Sequence, residues 1–215
     1  MRMDTKASHL LLLLNWMSPT FPIGGFAYSH GLEQAVADGL MSAEELKSWL
    51  SDLLQSGSTW NDAVIFARCW NDKAEELNAL ALALCGSAER YQETTQLGRN
   101  FNIAANVWMG TKLADFDMAY PAAAGNACVL AGIEKQSAVL AFLQGFCASQ
   151  VSVAVRLIPL GQTKGLEVLR DLSPIISSVA SRASQATLDD LGSSCILAEI
   201  AAMKHETLEP RVFRT

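Results

Sequence analysis

Histidine and charge are both scarce in this chain. Its 215 residues include three histidines, His9, His30 and His205, set far apart, and only 18% are charged. No HExxH or other paired spacing joins the histidines, which excludes a helix-borne metal site of that kind. Acidic side chains outnumber basic ones, 22 to 16, for a formal net charge of -6. That balance gives no broad attraction for a phosphate backbone and points away from nucleic acid as a partner. Cysteine is thin and scattered too: Cys69, Cys85, Cys128, Cys147 and Cys195 form no CxxC pair. Their odd number argues against a fully paired disulfide framework and suits a reducing compartment, by default the cytoplasm. No Ser/Gly-rich linker, low-complexity tract or internal repeat divides the sequence. Long apolar runs are missing as well. Ala138 to Leu160 comes nearest to a membrane span, but Gln144, Gln150 and Arg156 interrupt it, so it reads as a buried central helix. Leu10 to Leu14 is too short for a signal peptide, and Asp4 weakens its basic flank.

What the chain does have is apolar residues, 50% of the total, recurring at helical spacing almost throughout, without a sustained period-2 run. This predicts an all-α protein: a compact single-domain bundle of roughly ten helices over residues 1–215, with a tail, 206–215, expected to be mobile. Ser42 to Glu45 has the form of a capping box, and Gly57 separates its helix from the next. Ser87 caps a long helix through Trp108, with Glu89 at its positive end. Tyr120-Pro121 opens another helix. Pro159-Leu160-Gly161 breaks the central helix, Gln162 to Leu172 reads as a short one, and Ser173-Pro174 starts a separate one. Ser193 leads into a last helix through about Lys204.

The chain turns most sharply at Ser18 to Glu33. Pro19 and Pro22 hold the approach extended, Gly24-Gly25 permits a tight turn, and a helical pattern begins at Phe26 with Tyr28, Leu32, Ala35 and Val36 on one face. Gly31 then falls in a helix interior, where it costs roughly 1 kcal/mol relative to alanine. Two readings offset that cost: another helix approaches closely at Gly31, or the turn presents Phe26, Tyr28, Ser29 and Glu33 to a partner.

Catalysis finds little support. Asp115 with Asp117, and Asp189 with Asp190, are the carboxylate pairs, and Thr187 before Asp189 and Asp190 fits a capped helix start. Gly161 to Gly165 lacks the spacing of a phosphate loop, so no GTP site is expected in this chain. A hydrolase built on Asp189, Asp190 and a histidine, a metal-binding protein using the cysteines, and a membrane-associated helical protein remain as alternatives. At the end of the chain, Pro210 stops helix continuation and Arg211-Val212-Phe213-Arg214 alternates cationic and apolar side chains. The tail either docks on the chain's own acidic body or orders on a partner, with Phe213 as anchor and the arginines on carboxylates or carbonyls.

Four blocks in order resemble the urease accessory protein UreF family: Pro22 to Glu33, Leu160 to Thr163, Ala186 to Gly192, and Met203 to Thr207 followed by Arg211 to Arg214. The resemblance implies a non-enzymatic all-helical scaffold, usually dimeric. It implies that the scaffold bridges the accessory protein UreD (UreH in some species) and the GTPase UreG during nickel delivery to apo-urease, with modulation of GTP hydrolysis by UreG as a further role. Nickel and GTP are then handled by the partners, and the chain carries no cofactor. The family motifs fall on Pro22, Gly24, Phe26, Tyr28, Ser29, Gly31, Leu32 and Glu33, and on His205, Glu206, Arg211, Phe213 and Arg214, as partner-binding residues.

Overall fold

Residues 5–110, 112–114 and 116–215 are described by a computed structural model. Among them are ten α-helices and no strand: α1 Thr5–Trp16, α2 Leu32–Ala37, α3 Ala43–Ser56, α4 Ser58–Arg68, α5 Ala74–Ala83, α6 Ala88–Met109, α7 Tyr120–Leu130, α8 Lys135–Leu157, α9 Gly161–Gln185 and α10 Ile196–His205. Short 3-10 turns lie at Gly25–Ala27 and Leu188–Asp190. The all-α expectation holds.

The helices begin where the sequence supplies its own caps. The Ser42 hydroxyl accepts from the Glu45 N–H at 3.2 Å while the Glu45 carboxylate accepts from the Ser42 N–H at 2.9 Å. Ser87 caps α6 by accepting from the Arg90 N–H at 3.1 Å, and Pro121 sits in the first turn of α7, where its missing N–H costs nothing. Gly57 closes α3 and opens α4.

The core gathers around α8, which packs against α1, α2, α3, α4, α7 and α9. It is a helix long and apolar enough to cross a membrane, with half of that window buried among its neighbours. Phe66 of α4 stacks on Phe142 of α8 at 4.6 Å, and Tyr120, Phe101 and Trp16 continue the chain of rings toward α1. α6 passes so close to the segment leading into α7 that a Cβ at Gly98 would overlap the Met118 carbonyl oxygen. One contiguous core runs from Leu13 to Phe213.

Two expectations are corrected. The helix boundary at Ser173-Pro174 is absent, because α9 continues through Pro174. Val168, Leu172, Ile176, Val179 and Ala183 form an unbroken buried stripe against α8, α3 and α4, while Pro174 lies on the exposed side. Arg170, whose carbonyl loses its helical partner there, lies on the same exposed side, so packing overrides the local cost. The helix expected from Phe26 begins only at Leu32. Tyr28 is extended, and His30 (φ 55°) and Gly31 (φ 79°) are both left-handed. Gly31 is thus the residue before the first turn of α2, in a conformation that favours glycine. The close approach read from it is real, since a Cβ there would lie 3.2 Å from the Ala202 N of α10.

Candidate functional site

The left-handed pair His30-Gly31 turns the chain so that Ser29 and Glu33 face inward, toward the end of the same chain. The Ser29 N–H donates to the Thr215 carbonyl oxygen at 2.7 Å, and its hydroxyl donates to the same oxygen. One turn on, the two carboxylate oxygens of Glu33 accept the Val212 N–H at 2.7 Å and the Phe213 N–H at 2.9 Å. The Arg214 N–H reaches the Ala27 carbonyl at 2.8 Å. Arg156 of α8 spans both partners: it donates to the Phe26 carbonyl at 2.9 Å and lays its guanidinium 4.4 Å from the Phe213 ring centre. Phe213 is 3% exposed. Of the two placements open to the tail, this is docking on the chain's own body.

His205, at the end of α10, ties this seat to α6. Its Nε2 lies 3.0 Å from Glu33 Oε2 and its Nδ1 lies 2.7 Å from Glu89 Oε2, while Arg211 of the tail donates to Glu89 Oε1 at 2.6 Å. Glu206 carries the connection to the start of α6 by accepting the Ala88 N–H at 2.9 Å. A second cluster adjoins the first. His30 Nδ1 lies 3.3 Å from both oxygens of Glu93 and its Nε2 lies 2.7 Å from the Ser58 hydroxyl. Arg90 pairs with Asp62 and stands 3.8 Å from Glu93, and the Thr215 hydroxyl donates to Glu93 at 3.4 Å.

Burial works against the charge of Glu33, but the His205 bond and the two tail N–H groups outweigh it and hold the carboxyl below its usual range. Glu93 behaves alike: burial raises it, and His30 and Arg90 bring it down below the ordinary value. Asp62 goes the other way, pushed up by burial despite Arg90. Such groups are costly to strip singly, because the partner left behind is buried and unpaired.

Chemically, the site is a set of donors and acceptors spent on one another and on main-chain N–H groups. The cavity beneath the tail, lined by His30, Gly31, Glu89, Arg90, Glu93 and Thr215 among others, has a volume of about 20 Å³, room for one water. Among the described residues no three His, Cys, Asp or Glu side chains are placed to hold a metal ion. Cys69, Cys128 and Cys147 are buried, and burial raises the thiols of Cys69 and Cys147 to about 12.

The motif residues divide sharply. Pro22, Phe26, Glu206, Arg211 and Arg214 are exposed, Gly24 is half-buried, and Tyr28, Ser29, Gly31, Leu32, Glu33, His205 and Phe213 are buried. The reading that the turn presents Tyr28, Ser29 and Glu33 outward is therefore corrected: these three lie inside, and Phe26 alone of that set projects, 70% exposed. His30 and His205 bond different glutamates. Asp189 and Asp190 are exposed, and the Asp190 carboxylate closes a cap by accepting from Thr187 N–H at 2.8 Å and its hydroxyl at 3.0 Å. Asp115 lies outside the described residues. Sequence reading missed Glu93, Arg90, Asp62, Arg156 and Thr215, and gave Glu89 only a helix-dipole role. A signal was present: Glu89 and Glu93 precede Leu97 and Phe101 at steps of four, so two acids occupy the core-facing stripe of α6.

A family model for UreF matches residues 40–173. A protein of Rhizobium leguminosarum bv. viciae named urease accessory protein UreF is 46% identical over the whole of both chains. Proteins of the same name from Allorhizobium ampelinum and Mesorhizobium japonicum are 43% and 45% identical over 96% of each chain. The chain belongs to the UreF family. In this UreF-family chain Glu89 and Arg156 of the seat fall within residues 40–173, and the full-length likeness to the Rhizobium protein also includes the turn at Ser29 to Glu33 and the tail.

Proposed function

We propose that this chain is a urease accessory protein: a scaffold without catalysis of its own that bridges UreD (UreH in some species) and the GTPase UreG for nickel-dependent maturation of apo-urease. The observation that carries the reading is the full-length likeness to proteins of that name. It fits a site whose ionisable groups are committed to holding the chain together. The scaffold works in the cytoplasm as a homodimer, a platform for two UreG molecules. Holding UreG and UreD in one assembly makes nickel transfer effectively intramolecular, a gain in effective concentration. GTP hydrolysis by UreG is biased to the extent that its nucleotide states bind the scaffold differently. Nickel and GTP stay with the partners. Phe26, Val212 and Arg214, exposed around the seat, supply the contact face for UreD.

Size-exclusion chromatography with light scattering, on the chain alone and mixed with UreD and UreG of its own source, tests the reading. A dimer alone and a larger stoichiometric assembly in the mixture are expected; binding to neither protein overturns the proposal. Val212→Ala with Arg214→Ala removes two outward side chains whose backbone alone serves the seat. Calorimetry should show UreD affinity lowered by about tenfold or more with thermal stability unchanged.

A further inference from the structure

Gln150 of α8 is a buried polar side chain with no protein group to bond. It is 4% exposed, and among the described residues neither end of its amide has a hydrogen-bond partner. Turning the amide over changes nothing, since both ends are alone. Two more such groups stand on neighbouring helices. The Thr59 hydroxyl of α4, in a residue 1% exposed, is buried without a partner. Tyr120 of α7 bonds Thr94 through its main-chain N–H, but its hydroxyl has no partner among the described residues. Asp62 places one carboxylate oxygen on Arg90 and leaves Oδ1 without a protein donor. All four residues line one cavity of about 60 Å³ between α4, α6, α7 and α8, walled also by Gly25 and Tyr28 of the turn.

Such a gathering is unusual. Buried polar atoms in folded chains are nearly always paired, and one left alone costs stability. Here three helices each send one into the wall of the same space, whereas the other orphaned atoms, on Trp16, Trp49 and Asn102, belong to residues outside it. A chamber with apolar walls alone stays dry. This one also carries His30, Arg90 and Glu93, which it shares with the smaller cavity under the tail. By the measure that gives the smaller cavity one water, 60 Å³ gives room for about four.

We propose that this chamber is a water-binding site, in which a cluster of about four waters bridges Gln150, Thr59 and Tyr120 and solvates Asp62 from within the protein. Water supplies what each group lacks: both a donor and an acceptor for the amide, either one for the hydroxyls, and a donor for Asp62 Oδ1. α4, α7 and α8 are thereby joined by hydrogen bonds in the middle of an otherwise apolar interface. Hydration also lowers the cost of carrying the paired charges of Asp62 and Arg90 inside the fold. The inference uses this chain alone, so its failure would leave the scaffold reading standing.

A high-resolution crystal structure of the full chain should show ordered water within hydrogen-bond distance of the Gln150 amide and the Tyr120 hydroxyl. A chamber without water overturns the proposal, and so does xenon bound there under pressure, the mark of a dry cavity. In solution, the Gln150 side-chain amide should show an Overhauser contact with long-lived water, and its absence overturns the proposal. Thr59→Val and Tyr120→Phe each remove one hydroxyl while keeping the shape of the side chain. If the hydroxyl holds water, each should lower Tm by about 2–4 °C. A hydroxyl with no partner is better removed, so an unchanged or raised Tm overturns the proposal. If either variant does not fold, the crystal and the Overhauser contact of the wild-type chain decide.

Discussion

The interior between α4, α7 and α8 and the seat under the tail are both buried, but they are held together in opposite ways. In the first, Phe66 stacks on Phe142 beside Ala122, Ala123, Ala124 and Ala127, and stability follows apolar area and close packing, which have no direction. In the second, Glu33 is useful only because three donors converge on its two oxygens. Displace one and the rest are left desolvated and unpaired. The difference teaches where this fold is robust and where it can open: the apolar region resists any single conformational change, whereas the seat can be emptied by altering one group.

The largest effect should come from the apolar side. Phe66→Ala is expected to lower unfolding free energy in urea by about 3–5 kcal/mol, through lost transfer energy and a cavity that α4 and α8 cannot close. A loss under about 1.5 kcal/mol would mean that this region repacks freely.

Glu33→Ala should cost about 2–4 kcal/mol at the seat, by leaving the Val212 and Phe213 N–H groups and His205 without an acceptor. Its signature is local: trypsin cleavage after Arg211 and Arg214 should accelerate many-fold while the urea midpoint moves less than in Phe66→Ala. Equal global losses would merge the two regions into one cooperative unit and end the comparison.

Acid sharpens it further. The Glu33 carboxyl is held below its usual range in the folded chain, so the stability it contributes is complete above the ordinary glutamate range. That contribution is lost as pH falls through the lowered value. Exchange protection of the Val212 and Phe213 amides should therefore drop in acid before the near-ultraviolet signal of the stacked rings does.

Arg156→Ala is expected to have the smallest effect, about 1 kcal/mol, since it removes one cation–π contact and one bond to the Phe26 carbonyl but leaves Glu33 intact. Tail cleavage should rise only a few-fold. A change as large as that of Glu33→Ala would shift the centre of the seat to α8.

Much of the fold was legible because its signals are local. Ser42 and Glu45, Ser87, Gly57 and Pro121 mark helix ends within three or four residues of themselves. Pro174 misled because its local preference is overridden by a stripe of contacts with α3, α4 and α8. The left-handed His30-Gly31 pair was hidden by apolar spacing that a short extended segment can mimic, since Tyr28 and Leu32 are buried either way. The seat was the least legible part. Family motifs marked Ser29, Glu33, His205 and Phe213 together, but the partners of Glu33 stand 172 to 180 residues away and those of Ser29 186 away. Pairing over such distances leaves no periodicity to read. The one available hint was two glutamates on a stripe otherwise reserved for leucine and phenylalanine.

Glu33 grips the main-chain N–H groups of Val212 and Phe213, which every amino acid except proline provides. The side chains of Val212 and Arg214 are consequently not part of the fastening. Evolution can rewrite those two positions to suit a different associate while the end of the chain stays anchored in the same place.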